Sequence, residues 1–111
     1  MEGQFVFKNA VTRMPEVLGE ALQKAEVEAK DVDHFLFHQA NLRINEFVAK
    51  TLKIPAEKVP NNIQKYGNCS SASIPILLAE NIASGKIKPG QKVAMTAFGS
   101  GFTWGSCILE I

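Results

Sequence analysis

The spacing of apolar residues divides the first half of the chain into strands and helices. Residues 5–11 (FVFKNAV) and 31–37 (DVDHFLF) are rich in aromatic and β-branched side chains, which favours two strands. Between them, apolar residues recur every three or four positions, the spacing of a helix with one buried face. Thr12 as N-cap and Pro15 in the first turn predict where this helix begins, and it is expected to end near Glu28.

The second half predicts two more helices and a pair of strands. Apolar spacing indicates a helix over 41–52 and a nearly all-apolar helix over 73–84, which Ser71 or Ser73 is expected to cap. Residues 92–98 and 103–111 read as strands joined by a glycine turn. The predicted order is β-α-β-α-α-β-β. It favours an α/β fold, a mixed sheet packed by helices, with the last two strands antiparallel.

Composition narrows the class of protein. The 111 residues fit one domain, and 46% hydrophobic against 21% charged residues is typical of a globular chain. A net charge of +1 without a dense basic cluster predicts no nucleic-acid partner. Residues 1–10 do not resemble a signal peptide, and no apolar run is long enough for a membrane span. We therefore expect a cytoplasmic protein without a membrane partner.

Two polar positions stand beside predicted helix starts, where side chains of an α/β sheet converge on a crevice. His38 ends the second predicted strand, and it is either a functional group or a structural histidine bonded to a backbone carbonyl. Asn68 follows a glycine, so it either acts on a substrate or serves the backbone geometry of a turn. His34 and His38 supply too few ligands for a metal site, and none is expected.

Cys69 and the glycine turn each have a chemical and a structural interpretation, whereas Cys107 has only a structural one. Cys69 precedes a helix, where a thiol pKa is lowered, but a small packing residue is the preferred interpretation. Cys107 alternates within the last predicted strand and is expected in the core. The turn at residues 98–105 (FGSGFTWG) can offer backbone amides to an oxyanion, or it can be an ordinary hairpin turn.

Four ordered motifs carry a resemblance that covers essentially the whole chain. They are HQANLRI (38–44), YGNCSSASIP (66–75), GKIKPGQ (85–91) and FGSGFTWG (98–105). In this order they resemble the C-terminal half of β-ketoacyl-acyl carrier protein synthase III, a thiolase-like condensing enzyme. The resemblance implies that residues 1–111 form a thiolase-like half-domain, and that the half with the nucleophilic cysteine is absent. Cys69 is not expected to replace that cysteine.

The resemblance also implies an activity. This acyltransferase family condenses an acyl-CoA primer with malonyl-acyl carrier protein and releases carbon dioxide, in the initiation of fatty acid synthesis. The resemblance also implies that the reaction needs no cofactor and that the full-length protein is a homodimer. Without the N-terminal half, this chain is expected to be inactive. Two alternatives stay open: a non-catalytic interaction domain that pairs through the apolar helix, and half of a condensing enzyme of secondary metabolism.

The same resemblance assigns roles to particular residues. His38 and Asn68 match the two groups that stabilise the enolate formed by decarboxylation, and neutral donors fixed in a dry site suit that task. The backbone amide of Ser100 matches part of the oxyanion hole. Arg43 matches a residue that docks the acidic carrier protein, where a basic side chain steers association. The positions that match the pantetheine-binding tunnel are Phe7, Ala40, Asn41, Ile44 and Phe98.

Overall fold

The structure is a computed structural model that describes residues 3–38, 42–63, 73–99 and 103–111. Within these ranges, three helices surround a three-stranded sheet. Short 3₁₀ turns follow the first and second helices. The helices are α1 (Gly3–Ala25), α2 (Leu42–Thr51) and α3 (Ser73–Ala83), the strands are β1 (His34–Phe37), β2 (Lys92–Gly99) and β3 (Thr103–Glu110), and the 3₁₀ turns are Ala29–Asp31 and Ala56–Lys58.

The predicted first strand is wrong, because residues 5–11 belong to α1, a helix of 23 residues. Ala10, Met14 and Leu18 are each at most 2% exposed and lie four residues apart, so they form one buried stripe along the helix. Burial of this stripe outweighs the strand preference of the aromatic and β-branched residues before it. The apolar spacing that predicted the helix therefore extends further toward the N-terminus than the prediction allowed.

The predicted start of this helix is wrong for the same reason. Thr12 lies in the helix interior, and its Oγ1 donates a hydrogen bond to the carbonyl of Lys8 at 2.8 Å, one turn earlier. Pro15 also lies inside the helix rather than in its first turn. The helix ends at Ala25, three residues before the predicted Glu28.

The sheet has the order β1-β2-β3 and confirms the predicted mixed pairing. β1 runs parallel to β2, with Phe35 opposite Ala94. β2 runs antiparallel to β3, with Met95 opposite Cys107, as the short glycine turn predicted. The α/β layer and the final antiparallel pair are thus confirmed, in the order α-β-α-α-β-β.

Helices cover both faces of this sheet, and β1 contributes to each. Phe35 and Phe37 point to one face and join a buried cluster with residues of α1 and α2. Leu36 points to the other face, where Leu77 of α3 packs in a second, smaller cluster. The prediction that Cys107 lies in the core is wrong: it is exposed, because no described helix covers the face of β3 on which it lies.

The three described helices end in the same hydrogen-bonded turn. After the last helical residues, Glu26, Lys53 and Gly85 adopt positive φ angles of 56°, 57° and 80°. At each end, the amide of this residue and the next amide donate to two carbonyls of the last turn, at 2.9–3.1 Å. This is the Schellman motif, which most often places glycine at the positive-φ position. α1 and α2 use Glu26 and Lys53 there, and only α3 uses glycine.

Candidate active site

His38 directly follows β1, and two neighbouring elements fix its backbone. Its amide donates to the carbonyl of Thr96 in β2 at 3.0 Å. Its carbonyl accepts a hydrogen bond from Nδ2 of Asn45 in α2 at 3.4 Å. The histidine therefore extends the β1–β2 pairing by one residue, and its side chain emerges at the carboxyl end of a parallel strand, where α/β sheets bind their ligands.

A third element fixes the imidazole ring. Nδ1 of His38 lies 2.6 Å from Oγ of Ser73, the first residue of α3. Ser73 is only 3% exposed, whereas His38 is half-buried. Among the residues that the structure describes, none hydrogen-bonds the second ring nitrogen, Nε2. The ring is thus anchored through Nδ1, which leaves Nε2 to face a ligand.

Burial lowers the pKa of His38 below its ordinary value of 6.5, because an imidazolium is poorly solvated in this position. At neutral pH the ring is therefore uncharged. A neutral imidazole carries one N–H donor and one acceptor nitrogen, and Nδ1 is already engaged with Ser73. The arrangement therefore suits a neutral ring, rather than a cation, that meets a ligand through Nε2.

Asn45 is a supporting residue that the sequence analysis missed. It is 1% exposed, and besides the His38 carbonyl its Nδ2 donates to Oδ1 of Asn61 at 3.1 Å. Nδ2 of Asn61 in turn donates to the carbonyl of Val59 at 3.1 Å. The signal was present in the sequence, since Asn45 interrupts the apolar face of α2 beside Ile44 and Val48. A buried amide at such a position needs partners, and here it finds them.

The matched family model, described as "3-Oxoacyl-[acyl-carrier-protein (ACP)] synthase III C terminal", covers residues 22–111. This chain belongs to that family. A β-ketoacyl-[acyl-carrier-protein] synthase III from Aquifex aeolicus is 52% identical over 110 residues, which are 99% of this chain and 36% of the relative. The enzyme of the same name from Acaryochloris marina is 47% identical, over 99% of this chain and 33% of its own length.

A solved structure supports the same assignment. The crystal structure of 3-oxoacyl-[acyl-carrier-protein] synthase III from Aquifex aeolicus superposes on this chain with a TM-score of 0.97 and 51% identity. The superposition covers 100% of this chain and 36% of that one. The predicted thiolase-like fold is thereby confirmed. The chain spans about a third of the length of the curated relatives that it matches.

Three further residues that the synthase III resemblance singled out lie in the described part. The guanidinium of Arg43, an exposed residue of α2, lies 5.5 Å from the ring centroid of Phe7 in α1. Phe7 also meets Phe47 edge to face, with ring centroids 5.6 Å apart. Ile44 is 9% exposed and packs inside the cluster between α1, α2 and the sheet. α2 therefore brings Arg43 and Phe7 together at the surface, whereas Ile44 serves the core.

The other site residues that the resemblance singled out lie wholly or partly outside the described residues, as does Cys69. Phe98 belongs to β2, but its side chain is outside the described part. The roles of these residues stay predictions. The residues that lie wholly outside are Ala40, Asn41, Asn68 and Ser100.

The second histidine has a structural role. His34 opens β1, is 7% exposed, and its Nε2 lies 2.9 Å from Oε1 of Gln91. Within the described ranges, no three histidine, cysteine, aspartate or glutamate residues come together as metal ligands do. None of the described helices combines the length and the apolar character needed to cross a membrane.

Proposed function

We propose that this chain is the C-terminal catalytic module of a β-ketoacyl-acyl carrier protein synthase III. The whole enzyme condenses an acyl-CoA primer with malonyl-acyl carrier protein and releases carbon dioxide, the first condensation of fatty acid synthesis. Membership of the family supports the reaction class. The observation that carries the proposal is the imidazole of His38, anchored through Nδ1 and uncharged at neutral pH at the carboxyl end of β1.

The chemistry explains why a neutral donor is needed. When the malonyl group loses carbon dioxide, the electron pair of the broken C–C bond moves toward the thioester carbonyl and leaves an enolate oxygen. Nε2–H of His38 donates to that oxygen, and the side-chain amide of Asn68 donates beside it. Donors that are already oriented stabilise the negative charge without solvent rearrangement. The enolate carbon then attacks the carbonyl of the acyl group, which a cysteine of the N-terminal half holds as a thioester. The C–S bond breaks as the new C–C bond forms, and the cysteine leaves as its thiolate.

The other predicted residues complete the module. The backbone amide of Ser100 supports the oxyanion of acyl transfer. The tunnel positions other than the core residue Ile44, including Phe7, contact the pantetheine arm. Arg43 attracts the acidic carrier protein from the exposed side of α2. The reaction needs no cofactor. The enzyme works in the cytoplasm as a homodimer, and turnover needs the cysteine of the N-terminal half.

The test is a chimera in which this chain replaces the matching C-terminal segment of the Aquifex aeolicus relative, 52% identical over 110 residues. We expect the chimera to condense acetyl-CoA with malonyl-acyl carrier protein, and the isolated chain to show no turnover. His38→Ala should lower malonyl decarboxylation by about 10²–10³-fold, the usual loss for one oxyanion donor. Acylation of the cysteine should stay close to normal. His34→Gln is the matched control and should keep the rate.

Contrary outcomes have distinct meanings. If His38→Ala and Asn68→Ala both leave decarboxylation unchanged in an active chimera, the assigned roles are wrong. If the isolated chain binds carrier protein while the chimera never condenses, the interaction-domain alternative replaces the enzyme.

The docking role is tested separately. Arg43→Glu should raise the Michaelis constant for malonyl-acyl carrier protein by about tenfold, and that for malonyl-CoA much less, because only the carrier protein extends over the surface of α2. Lys86→Glu, another exposed cation after α3, is the control. Equal effects of Arg43→Glu on both substrates would contradict the docking role.

A further inference from the structure

We infer that Ser73 is the positioning residue that selects the tautomer of His38. Its hydroxyl donates to Nδ1, so that Nε2 carries the ring proton toward the substrate oxygen. This inference deepens the proposed function and rests on it. Ser73 lies outside the set of residues that the motifs singled out for chemistry, although it was expected to cap α3.

The geometry requires one of two arrangements. At 2.6 Å, Nδ1 and the hydroxyl oxygen are firmly hydrogen-bonded, and one proton lies between them. Either Nδ1–H donates to Ser73 and Nε2 is a bare lone pair, or Ser73 donates to Nδ1 and Nε2–H is a donor. A lone pair facing an enolate oxygen would repel it. Only the second arrangement lets His38 stabilise the charge that decarboxylation creates.

The surroundings make the ring orientation hard to change. The backbone of His38 is held on both sides, by Thr96 through its amide and by Asn45 through its carbonyl. Ser73 is 35 residues away in sequence and 3% exposed, so its hydroxyl is held by the packing of α3 rather than by solvent. No covalent step is involved: the serine proton stays on Oγ, and the ring proton stays on Nε2 throughout.

Burial supports the same assignment. The pKa of His38 is lowered by desolvation, so the ring is neutral at the pH of the reaction and one tautomer must be chosen. An exposed imidazole could exchange tautomers through water. A half-buried one with a hydroxyl at 2.6 Å has its choice set by the protein.

Two measurements on the chimera test the inference. The first is the ¹⁵N spectrum of the imidazoles at pH 8, with His38 identified by its loss in His38→Gln. We expect Nε2 to show the shift of a protonated nitrogen and Nδ1 that of a hydrogen-bonded acceptor. The second is Ser73→Ala, which should lower kcat for malonyl decarboxylation by about 10–100-fold, because a misplaced donor loses much of its effect. KM should change little, and the Nδ1 signal should lose its hydrogen-bond shift.

Matched variants separate positioning from folding. Ser84→Ala removes a hydroxyl from the other end of α3, where it donates to the Asn81 carbonyl, and should leave kcat unchanged. Ser73→Thr keeps the hydroxyl and should restore most of the rate if Ser73→Ala is poorly folded. A protonated Nδ1 in the unsubstituted protein would overturn the inference. A normal kcat in folded Ser73→Ala would also overturn it. If His38→Ala loses decarboxylation while Ser73→Ala keeps it, the inference fails and the proposed function stands.

Discussion

In the described part of the chain, the two faces of the sheet differ in how many residues are buried on each. Among the described residues, the face beneath α1 and α2 buries a cluster of eleven, including Phe35 and Phe37 of β1. The face beneath α3 buries four, Leu36, Leu77, Ile87 and Val93. His38 points to this second face, toward Ser73. The extensive cluster holds β1 from behind, and the smaller one leaves the histidine partly open for chemistry.

The edge strand shows the same difference. On the α3 face, Cys107 and Leu109 lie opposite Met95 and Val93 in the antiparallel ladder, yet both are exposed, Leu109 by 39%. On the other face, Ile108 packs against the larger cluster. Core packing therefore stabilises one side of the sheet, while the side that carries the candidate site has apolar surface that no described element covers.

The largest expected loss of stability is on the face beneath α1 and α2. Phe37→Ala removes a side chain that is fully buried, and it should lower the free energy of unfolding by about 3–5 kcal/mol. Phe47→Ala is the matched control, because Phe47 is 47% exposed and mainly meets Phe7 edge to face. It should cost about 0.5–1.5 kcal/mol. Urea unfolding of the 111-residue chain measures both, and similar costs would contradict the assignment of the core.

The second largest expected loss of stability is on the face beneath α3. Leu77→Ala, at 1% exposure, should cost about 2–3 kcal/mol, near the low end for buried leucine because the small cluster can partly collapse. Leu109→Ala on the same face should cost less than about 1 kcal/mol, since its side chain is already partly in water. A loss at Leu109 as large as that at Leu77 would show that this part of β3 is covered.

The ends of the three described helices differ in which residue adopts the positive φ angle, and this difference should affect stability. Gly85→Ala at the end of α3 should cost about 1 kcal/mol through its positive φ alone, because a Cβ there would meet no atom within 4 Å. Glu26→Gly and Lys53→Gly, at the ends of α1 and α2, should instead raise stability by up to about 1 kcal/mol. Thermal unfolding measures all three. Destabilisation by both glycine variants would mean that the side chains contribute more than the backbone strain costs.

The smallest expected effect is a pH dependence of stability caused by His38, on the face beneath α3. Its pKa is lowered from 6.5 in the folded chain, so the unfolded chain binds a proton first as the pH falls. Stability should therefore be unaffected above pH 6.5, fall as the pH decreases below it, and level off below the folded-state pKa. His38→Gln should remove this slope. An imidazole titration of His38 with a midpoint at or above 6.5 would contradict the prediction.

The site was only partly predictable from the sequence. The motif around His38 singled out the histidine. The strand before it is confirmed, but it covers only His34–Phe37 rather than the predicted 31–37, because Asp31 belongs to a 3₁₀ turn. Asn45 was overlooked because a polar residue on an apolar helix face has no assigned partner until the carbonyl of His38 is brought beside it. The sequence predicts Ser73 only as a possible helix cap, because nothing local in its sequence indicates contact with a ring 35 residues away.

The sequence by itself determined the elements whose signals are local: the two helices after His38, the antiparallel pair at the end and the charge balance. Such patterns come from residues within one or two turns of each other. It failed at residues 5–11, where strand preference and helical spacing conflicted, and burial against the sheet decided for a helix. Only the tertiary structure placed Ser73 at Nδ1 of His38 and left Cys107 exposed, because packing between distant elements decides which side chains meet and which faces stay open.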